Sequence, residues 1–186
     1  MSSPDGPFAL HPIGVVRSGT DDVAATAIQG RLDPASRGTV VVDPSLVDGL
    51  EGLDQFDYAW LVTVLHQGAD DGDAAERLRP TPFLARPGQP PVGVFATRFP
   101  RRPNPIGLSL IRIVSVVGNA ISFLGVDVVD GTPVIDLKPW VPSFDLPHDA
   151  SAFAEVRTGW YLQSRLEDPL ADAPTGWTPN DLGDRP

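Results

Sequence analysis

The residue types best suited to chemistry lie between Val94 and Trp140. The first part of this stretch contains three arginines, Arg98, Arg101 and Arg102, interleaved with three prolines. Because proline fixes φ and lacks a backbone N–H, this loop is predicted to be stiff and non-helical. Guanidinium groups on a stiff loop are suited to hold an anion in a fixed pose. A solvated hairpin end with ordinary surface arginines is the alternative interpretation.

The charge distribution favours a dedicated feature over scattered surface charge. From Arg98 to Lys138 the chain has five positive and three negative residues, a net charge of +2. The whole chain has a net charge of −10, so the remaining residues carry −12. Lys138 is the only lysine in the sequence. A local basic segment in an acidic protein therefore indicates a placed functional feature.

Composition restricts the class of protein. A length of 186 residues with 41% hydrophobic residues is sufficient for one globular domain with an appendage. The 21 prolines and 18 glycines have no repeat period, which fits short strands joined by many turns. The absence of cysteine excludes disulfides, thiolate chemistry and cysteine-ligated metals. His11 and His148 show no metal-ligand spacing, so no metal site is predicted.

The sequence also predicts a cytoplasmic location. The first seven residues are polar and lack the apolar region of a secretory signal. No apolar run reaches the roughly 18 residues needed to span a bilayer, so no membrane partner is expected. The pI of about 4.5 argues against a general nucleic-acid binder.

The apolar and turn-forming patterns predict about seven short strands. Asp57–His66 is a nearly continuous apolar run, which predicts a strand buried on both faces, with Tyr58 and Trp60 in the core. A turn at Gly118-Asn119 is expected to join two strands as a hairpin. The predicted strands are Pro12–Ser18, Gly38–Asp43, Asp57–His66, Val92–Thr97, Gly107–Val117, Asn119–Val126 and Thr132–Leu137.

Helical signals are few. Pro44–Phe56 has leucine and valine spacings that fit one or two short helical turns. Asp149–Leu166 is free of proline and has an apolar face, which predicts a C-terminal helix followed by a loose tail. Neither a βαβ alternation nor a Gly-x-Gly-x-x-Gly fingerprint occurs, so a Rossmann fold is not predicted. The predicted fold class is mainly β, a sandwich or a small antiparallel barrel.

Three runs of residues resemble the TrmO family, whose members are also called YaeB or TsaA-like proteins. These runs are Gly93–Arg98, Arg102–Ser109 and Asp130–Pro139. Weaker similarity lies in Pro12–Ser18, and the resemblance covers about residues 8–145. The two central motifs are long and unusual, so chance similarity is a poor explanation.

The resemblance implies both an architecture and an activity. The implied fold is a small antiparallel β-barrel of about seven strands with short helices in residues 8–147, followed by a C-terminal helix and flexible tail in residues 148–186. The implied activity is that of a methyltransferase that uses S-adenosylmethionine (SAM). The implied assembly is a homodimer with SAM near the subunit interface. The implied reaction is N6-methylation of threonylcarbamoyl-adenosine next to the anticodon of tRNA.

The resemblance also assigns functional residues. Arg98 would bind the SAM carboxylate bidentately, and Asp130 would face its ammonium group or ribose hydroxyls. Because methyl transfer needs an in-line approach, positioning is expected to dominate, with Asp130 and Lys138 as the catalytic residues. The expected substrate-binding residues are Arg101, Arg102 and Asn104. The implied SAM-binding residues are Ala27, Ile28, Gln29, His66, Gln67, Arg98, Leu108, Val128, Val129, Asp130 and Gly131.

Differences from the family pattern leave the methyl acceptor open. Phe99 stands where the family often has serine, and Trp140 stands where it has tyrosine. A small molecule is therefore an alternative acceptor to tRNA, and a non-catalytic SAM-binding module is a further alternative. Single residues also have structural alternatives: His66 as a core histidine, Asp136 as the partner of a nearby arginine, and Asp130-Gly131 as a plain hairpin turn.

Overall fold

The computed structural model describes residues 9–68, 77–82, 88, 90–146 and 159. The chain divides into two compact units. The first contains Met1–His66 and Ile106–Trp140, and the second contains Gln67–Pro105 and Val141–Pro186. The predicted C-terminal helix and tail, residues 148–186, lie outside the described residues apart from Gly159. The predicted boundary between residues 147 and 148 therefore stays a prediction.

Within the described part of the first unit, six strands form a closed antiparallel barrel. They are β1 (Gly14–Arg17), β2 (Arg37–Val42), β3 (Tyr58–Val64), β4 (Ile106–Val117), β5 (Ala120–Leu124) and β6 (Pro133–Pro139). Their order around the barrel is β1-β2-β5-β4-β3-β6, and β6 pairs with β1 to close it. The predicted antiparallel barrel is therefore confirmed, with six strands in place of about seven.

The predicted strand without a counterpart is Val92–Thr97. This segment contains a 3-10 turn over Val94–Ala96 in the second unit. The Thr97 amide and hydroxyl both donate to the Val94 carbonyl, at 3.0 and 2.8 Å. Such local bonding satisfies the backbone within the segment, so it competes with a strand ladder. The second unit also contains a short α-helix, α1 (Pro142–Asp145). No helix among the described residues is long and apolar enough to cross a membrane.

The barrel interior is filled by alternate residues of the strands. In β3, Ala59, Leu61 and Thr63 point inward and are buried, whereas Tyr58 is 38% exposed. The predictions that both faces of this strand are buried and that Tyr58 is a core residue are therefore wrong, because a closed barrel has a single interior. Among the described residues of the first unit, the largest fully buried apolar side chains are Phe123, Leu61, Ile111, Ile121, Val16, Val40 and Val134.

The antiparallel order sorts the connections between strands to two ends of the barrel. At what we call the loop end, β1 leads into β2 through residues 18–36, and β5 leads into β6 through residues 125–132. β3 also ends there and β4 begins there, since Val64 pairs with Ile106 and Thr63 pairs with Val134. The opposite end, here the hairpin end, contains the β2–β3 connection (43–57), the β4–β5 hairpin and the end of β6.

The hairpin end is closed by short turns and by hydrogen bonds between strands. The predicted helical turns are present as 3-10 turns over Pro44–Leu50 and Leu53–Gln55. Asp43 begins the first of them by accepting hydrogen bonds from the Ser45 amide at 2.8 Å and the Ser45 hydroxyl at 2.6 Å. The predicted hairpin turn is confirmed, and the Asn119 side-chain amide donates to the carbonyl of Val42 on β2 at 2.7 Å.

Candidate functional site

A tight turn at the loop end presents Asp130. The Thr132 amide and hydroxyl donate to the Val129 carbonyl at 3.3 and 2.7 Å, which closes the turn. Gly131 has φ +75°, a conformation that glycine adopts without steric cost. The Gly131 amide donates to the Val16 carbonyl at 2.8 Å. The turn is therefore bonded to β1 as well as to itself.

The Asp130 carboxylate is held by the end of β1. One oxygen accepts from Arg17 Nη1 and the other from the Ser18 amide, both at 3.0 Å. The hydrogen bond from Arg17, followed by that from Ser18, lowers the pKa of Asp130 below its usual value. The group is therefore ionised throughout the neutral range. Each oxygen retains a further acceptor direction for a cation or hydroxyl of a ligand.

A second carboxylate, Asp127, ties three segments of the barrel together. It accepts from the Gly30 amide at 3.0 Å and from the Ser109 hydroxyl of β4 at 2.5 Å. Gly30 lies so close to Gly125 that a Cβ added to it would be 2.1 Å from the Gly125 carbonyl oxygen. Asp127 was absent from the predicted site. The available signal was its charge within a run of valines, since a charged group in apolar surroundings requires partners.

A cavity of about 130 Å³ lies beneath the β1–β2 connection. Its lining brings together Ala27 and Val128, two of the predicted SAM-binding residues. Ligand pockets usually measure about 300–1,000 Å³, so this cavity accommodates only part of a molecule the size of SAM. The full lining is Ser18, Thr20, Ala25, Thr26, Ala27, Asp33, Ser36, Arg37, Val126 and Val128.

Other predicted SAM-binding residues lie at the loop end without lining this cavity. Ile28 and Gln29 are half-buried, and the Gln29 side-chain amide donates to the Ile28 carbonyl at 2.7 Å. His66 begins a 3-10 turn immediately after β3 and is exposed. The alternative prediction of a buried core histidine is therefore wrong. In the parts of the chain that the structure describes, no group of three or more metal-binding side chains occurs.

Two further predicted residues, Leu108 and Lys138, are exposed on strands β4 and β6. Leu108 is on the outer face of β4 and is 49% exposed. Lys138 is near the hairpin end of β6, roughly 17 Å along the strand from its first residue at a rise of about 3.4 Å per residue. Its Nζ lies 2.7 Å from Asp136 Oδ2. Asp136 therefore pairs with a lysine and not with the predicted arginine.

The remaining predicted site residues lie in the second unit. Arg102 is half-buried and its Nη1 donates to the Thr97 carbonyl at 3.2 Å. The Thr97 hydroxyl also accepts from the Phe99 amide at 3.1 Å, so Thr97 organises the loop around Phe99. Arg98, Arg101 and Asn104 are exposed, and Gln67 lies in the turn after β3. Their assignments to SAM and substrate stay predictions.

The fold and this end of the barrel define a class, a small closed β-barrel whose long connections gather at one end to form a candidate ligand site. Comparison with known proteins gives the family. The family model "tRNA-methyltransferase O N-terminal domain" matches residues 15–146. This chain therefore belongs to the TrmO family, as the resemblance in its sequence predicts.

Individual relatives agree with that membership. The chain is 37% identical over 154 residues to the tRNA (adenine(37)-N6)-methyltransferase of Escherichia coli, covering 78% of this chain and 63% of the relative. It is 36% identical over 153 residues to a "Probable S-adenosyl-L-methionine-binding protein" of Pyrococcus abyssi, covering 82% and 76%. The crystal structure of TrmO from Pseudomonas aeruginosa has a TM-score of 0.61 and 34% identity, covering 83% of this chain and 62% of that one. The chain thus spans somewhat less than two thirds of its bacterial relatives.

Proposed function

We propose that this protein is a SAM-dependent methyltransferase that methylates N6 of adenine in tRNA, with threonylcarbamoyl-adenosine beside the anticodon as its acceptor. Family membership and the names of the relatives support the reaction class. The observation that supports it in this chain is the loop end. There an ionised Asp130 lies at the same end of the barrel as Ala27, Gln29 and His66.

The residues at the loop end fit one part of SAM. SAM supplies a methyl group on a sulfonium, and the protein must hold that group in line with the acceptor nitrogen. Asp130 would bind the ammonium or the ribose hydroxyls through its remaining acceptor directions. Ala27 and Val128 would line an apolar part of the pocket. Arg98 would bind the carboxylate, for which a guanidinium provides two parallel N–H donors.

Lys138 raises the question of how many protomers form one site. Within a protomer it lies at the opposite end of β6 from Asp130, so the two side chains do not meet on one reacting atom. If Lys138 helps the acceptor nitrogen to lose its proton, it acts in the site of a second protomer. We therefore propose a homodimer in which each site combines Asp130 of one chain with Lys138 of the other.

The outer face of β3 and β4 supports the homodimer. Ile106, Leu108 and Leu110 follow each other along the outside of β4 and are 37%, 49% and 41% exposed. Leu110 of β4 pairs with Trp60 of β3, and Trp60 pairs on its other side with Lys138 of β6. A contiguous exposed apolar face marks an interaction surface, and a two-fold dimer places the same patch of both chains in contact.

The reaction is tested with labelled SAM and total tRNA from cells that lack the activity. The expected product is N6-methylated threonylcarbamoyl-adenosine, detected by mass spectrometry of the nucleosides. Unmodified tRNA transcripts should give no product, because the proposed acceptor is the modified base. SAM binding without methylation of any tRNA would contradict the proposal and favour a small-molecule acceptor.

The shared site is tested by mixing two inactive variants. Asp130→Ala and Lys138→Ala should each lose activity alone. Random reassociation of equal amounts places one intact site in the mixed dimer, which restores roughly one quarter of the wild-type activity. Restoration to that level requires residues from both chains in one site, whereas a mixture that stays inactive would reject the shared-site arrangement.

As a separate check, Leu110→Glu should convert the dimer to a monomer in light-scattering measurements.

A further inference from the structure

A second charged feature lies on the outside of the barrel and adjoins the Asp130 turn through Arg17. We call it the basic wall: the outer faces of β1, β2, β5 and the adjoining half of β4. These four strands contain three arginines, Arg17, Arg37 and Arg112, and no aspartate or glutamate. All three arginines are exposed. In a chain with 24 acidic residues, four adjacent strands free of carboxylates form a distinct basic surface.

Strand pairing sets the spacing of the arginines. Arg37 of β2 is paired with Leu124 of β5, and Leu124 is paired with Arg112 of β4. Neighbouring strands are about 4.8 Å apart, so the two arginine backbones are roughly 10 Å apart on one face. Among the residues that the structure describes, neither of these two side chains has a hydrogen bond or ion pair. Two such groups suit an extended polyanion better than a single small anion.

A shallow cleft of about 170 Å³ lies on the basic wall. Its polar side chains are two arginines, Arg17 and Arg37, and two hydroxyl residues, Thr39 and Ser122. Thr39 and Ser122 are directly paired between β2 and β5. Guanidinium and hydroxyl donors are the donor set that binds a phosphate group, and among the described residues Arg37 is not paired with a carboxylate.

The acidic charge of the protein is concentrated elsewhere. The β2–β3 connection at the hairpin end has five exposed acidic residues and no basic residue. They are Asp43, Asp48, Glu51, Asp54 and Asp57. A polyanion is repelled by that end and attracted to the basic wall, even though the net charge of the whole chain is −10.

Arg17 connects the basic wall to the candidate site. It is the last residue of β1, it lines the cleft, and its Nη1 donates to Asp130 at 3.0 Å. We propose that the basic wall binds the phosphate backbone of the tRNA acceptor and thereby directs the reactive base to the loop end. This inference rests on the proposed function for its ligand. Arg112 is distinct from the candidate SAM site, whereas Arg37 also lines the cavity beneath the β1–β2 connection and Arg17 contacts Asp130.

The experiment compares tRNA binding by Arg37→Ala, Arg112→Ala and the double variant with wild type. Each lost phosphate contact removes about 0.7–0.9 from the slope of log K against log salt. At about 0.15 M salt this corresponds to a roughly four- to sixfold weaker tRNA affinity for each substitution. Fluorescence anisotropy from low to high salt measures both quantities. Calorimetry should give an unchanged SAM affinity for Arg112→Ala, because Arg112 does not line the cavity beneath the β1–β2 connection. Circular dichroism checks that each variant is folded.

Two matched variants serve as controls. Arg37→Lys retains the charge and should keep the salt slope. Arg79→Ala removes an exposed arginine of the second unit and should leave tRNA affinity unchanged. Inorganic phosphate at equal ionic strength should not displace the tRNA, which distinguishes a polyanion surface from a site for a single phosphate.

The outcomes separate this inference from the proposed function. If wild type methylates tRNA but the double variant keeps the affinity, salt slope and KM for tRNA, the basic wall is rejected and the function stands. If wild type binds tRNA with the expected dependence on Arg37 and Arg112 but methylates none, the proposed reaction is rejected and the basic wall stands. Failure of wild type to bind any tRNA rejects both.

Discussion

The two ends of the barrel differ in the sequence range of the contacts that hold one carboxylate at each end. Each end contains a carboxylate with a lowered pKa: Asp43 at the hairpin end and Asp130 at the loop end. Asp43 is held by Ser45, two residues away. Asp130 is held by Arg17 and Ser18, which are 113 and 112 residues away. A short-range contact shapes a turn, whereas a long-range contact joins separate connections into a site.

One glycine of each end shows a corresponding difference in the space around it. Gly49, in the β2–β3 connection, has open space where a Cβ would be. Gly30, in the β1–β2 connection, has the Gly125 carbonyl there, at 2.1 Å. Backbone packed on backbone fixes the loop end in position, and this is what a ligand site requires.

The largest expected effect comes from adding a methyl group where the β1–β2 and β5–β6 connections pack together at the loop end. Gly30→Ala forces the backbone away from Gly125, and overpacking of this kind costs about 1–3 kcal/mol of unfolding free energy. SAM affinity should fall as well, because Ala27 and Gln29 move with the loop. Thermal melting and calorimetry measure the two effects. The matched control, Gly49→Ala, should leave both nearly unchanged, and equal losses in the two variants would contradict the proposed difference between the ends.

A smaller effect is expected from a substitution of Asp127, which accepts hydrogen bonds from Gly30 and Ser109. Asp127→Asn retains the shape but removes the negative charge from both hydrogen bonds, since its Oδ1 can accept from the Gly30 amide while its Nδ2 donates to the Ser109 hydroxyl oxygen. Hydrogen bonds to charged groups are worth roughly 1.5–3 kcal/mol and neutral ones about 0.5–1.5 kcal/mol, so a loss of about 1 kcal/mol per bond is expected. Urea unfolding should show that loss, together with weaker SAM binding. Asp48→Asn, on an exposed residue of the hairpin end, is the control and should unfold like wild type.

The pH dependence of stability compares the two ends directly. The pKa of Asp130 is lowered on folding. The hydrogen bonds from Arg17 and Ser18 therefore stabilise the protein at pH values above about 3.9, the pKa of an aspartate in the unfolded chain. That contribution is lost as the pH falls through the folded value. Arg17→Ala should therefore destabilise at neutral pH, and the difference from wild type should vanish in acid.

NMR titration of the carboxyl carbons gives the corresponding site-specific measurement. In Arg17→Ala the pKa of Asp130 should rise and that of Asp43 should stay unchanged. In Ser45→Ala the opposite should hold, because the Ser45 hydroxyl is the first cause of the lowered Asp43 pKa. A rise of both pKa values in either variant would show that the two ends are coupled, so that each carboxylate is not held by its own partners alone.

The smallest effect on stability is expected at Lys138. Its pair with Asp136 is exposed, and exposed pairs are typically worth about 0.2–1 kcal/mol. Lys138→Ala should therefore unfold almost like wild type while it loses methyl transfer. Single-turnover rates with saturating tRNA isolate that loss. If activity and stability fall together and in proportion, Lys138 has only a structural role.

Local patterns in the sequence were sufficient for most of the strands. β2, β4, β5 and β6 were predicted from β-branched residues and turn signals, and Gly118-Asn119 correctly marked the hairpin. The strand predicted over Val92–Thr97 was wrong, because one threonine hydroxyl makes a local bond that the apolar pattern does not reveal. The exposed position of Tyr58 was also missed, since an apolar run does not state whether one or both faces are covered.

The sequence by itself determined the family, the β class and the residue types available for chemistry, because motifs and alternation are local properties of the chain. Only the tertiary structure decided which of those residues meet. It brought Arg17 and Ser18 to Asp130, and Gly30 to Asp127, and it separated Lys138 from Asp130 by the length of β6. The physical reason is the closure of the barrel. An antiparallel order sends each strand end to one side or the other, and no local pattern specifies that order.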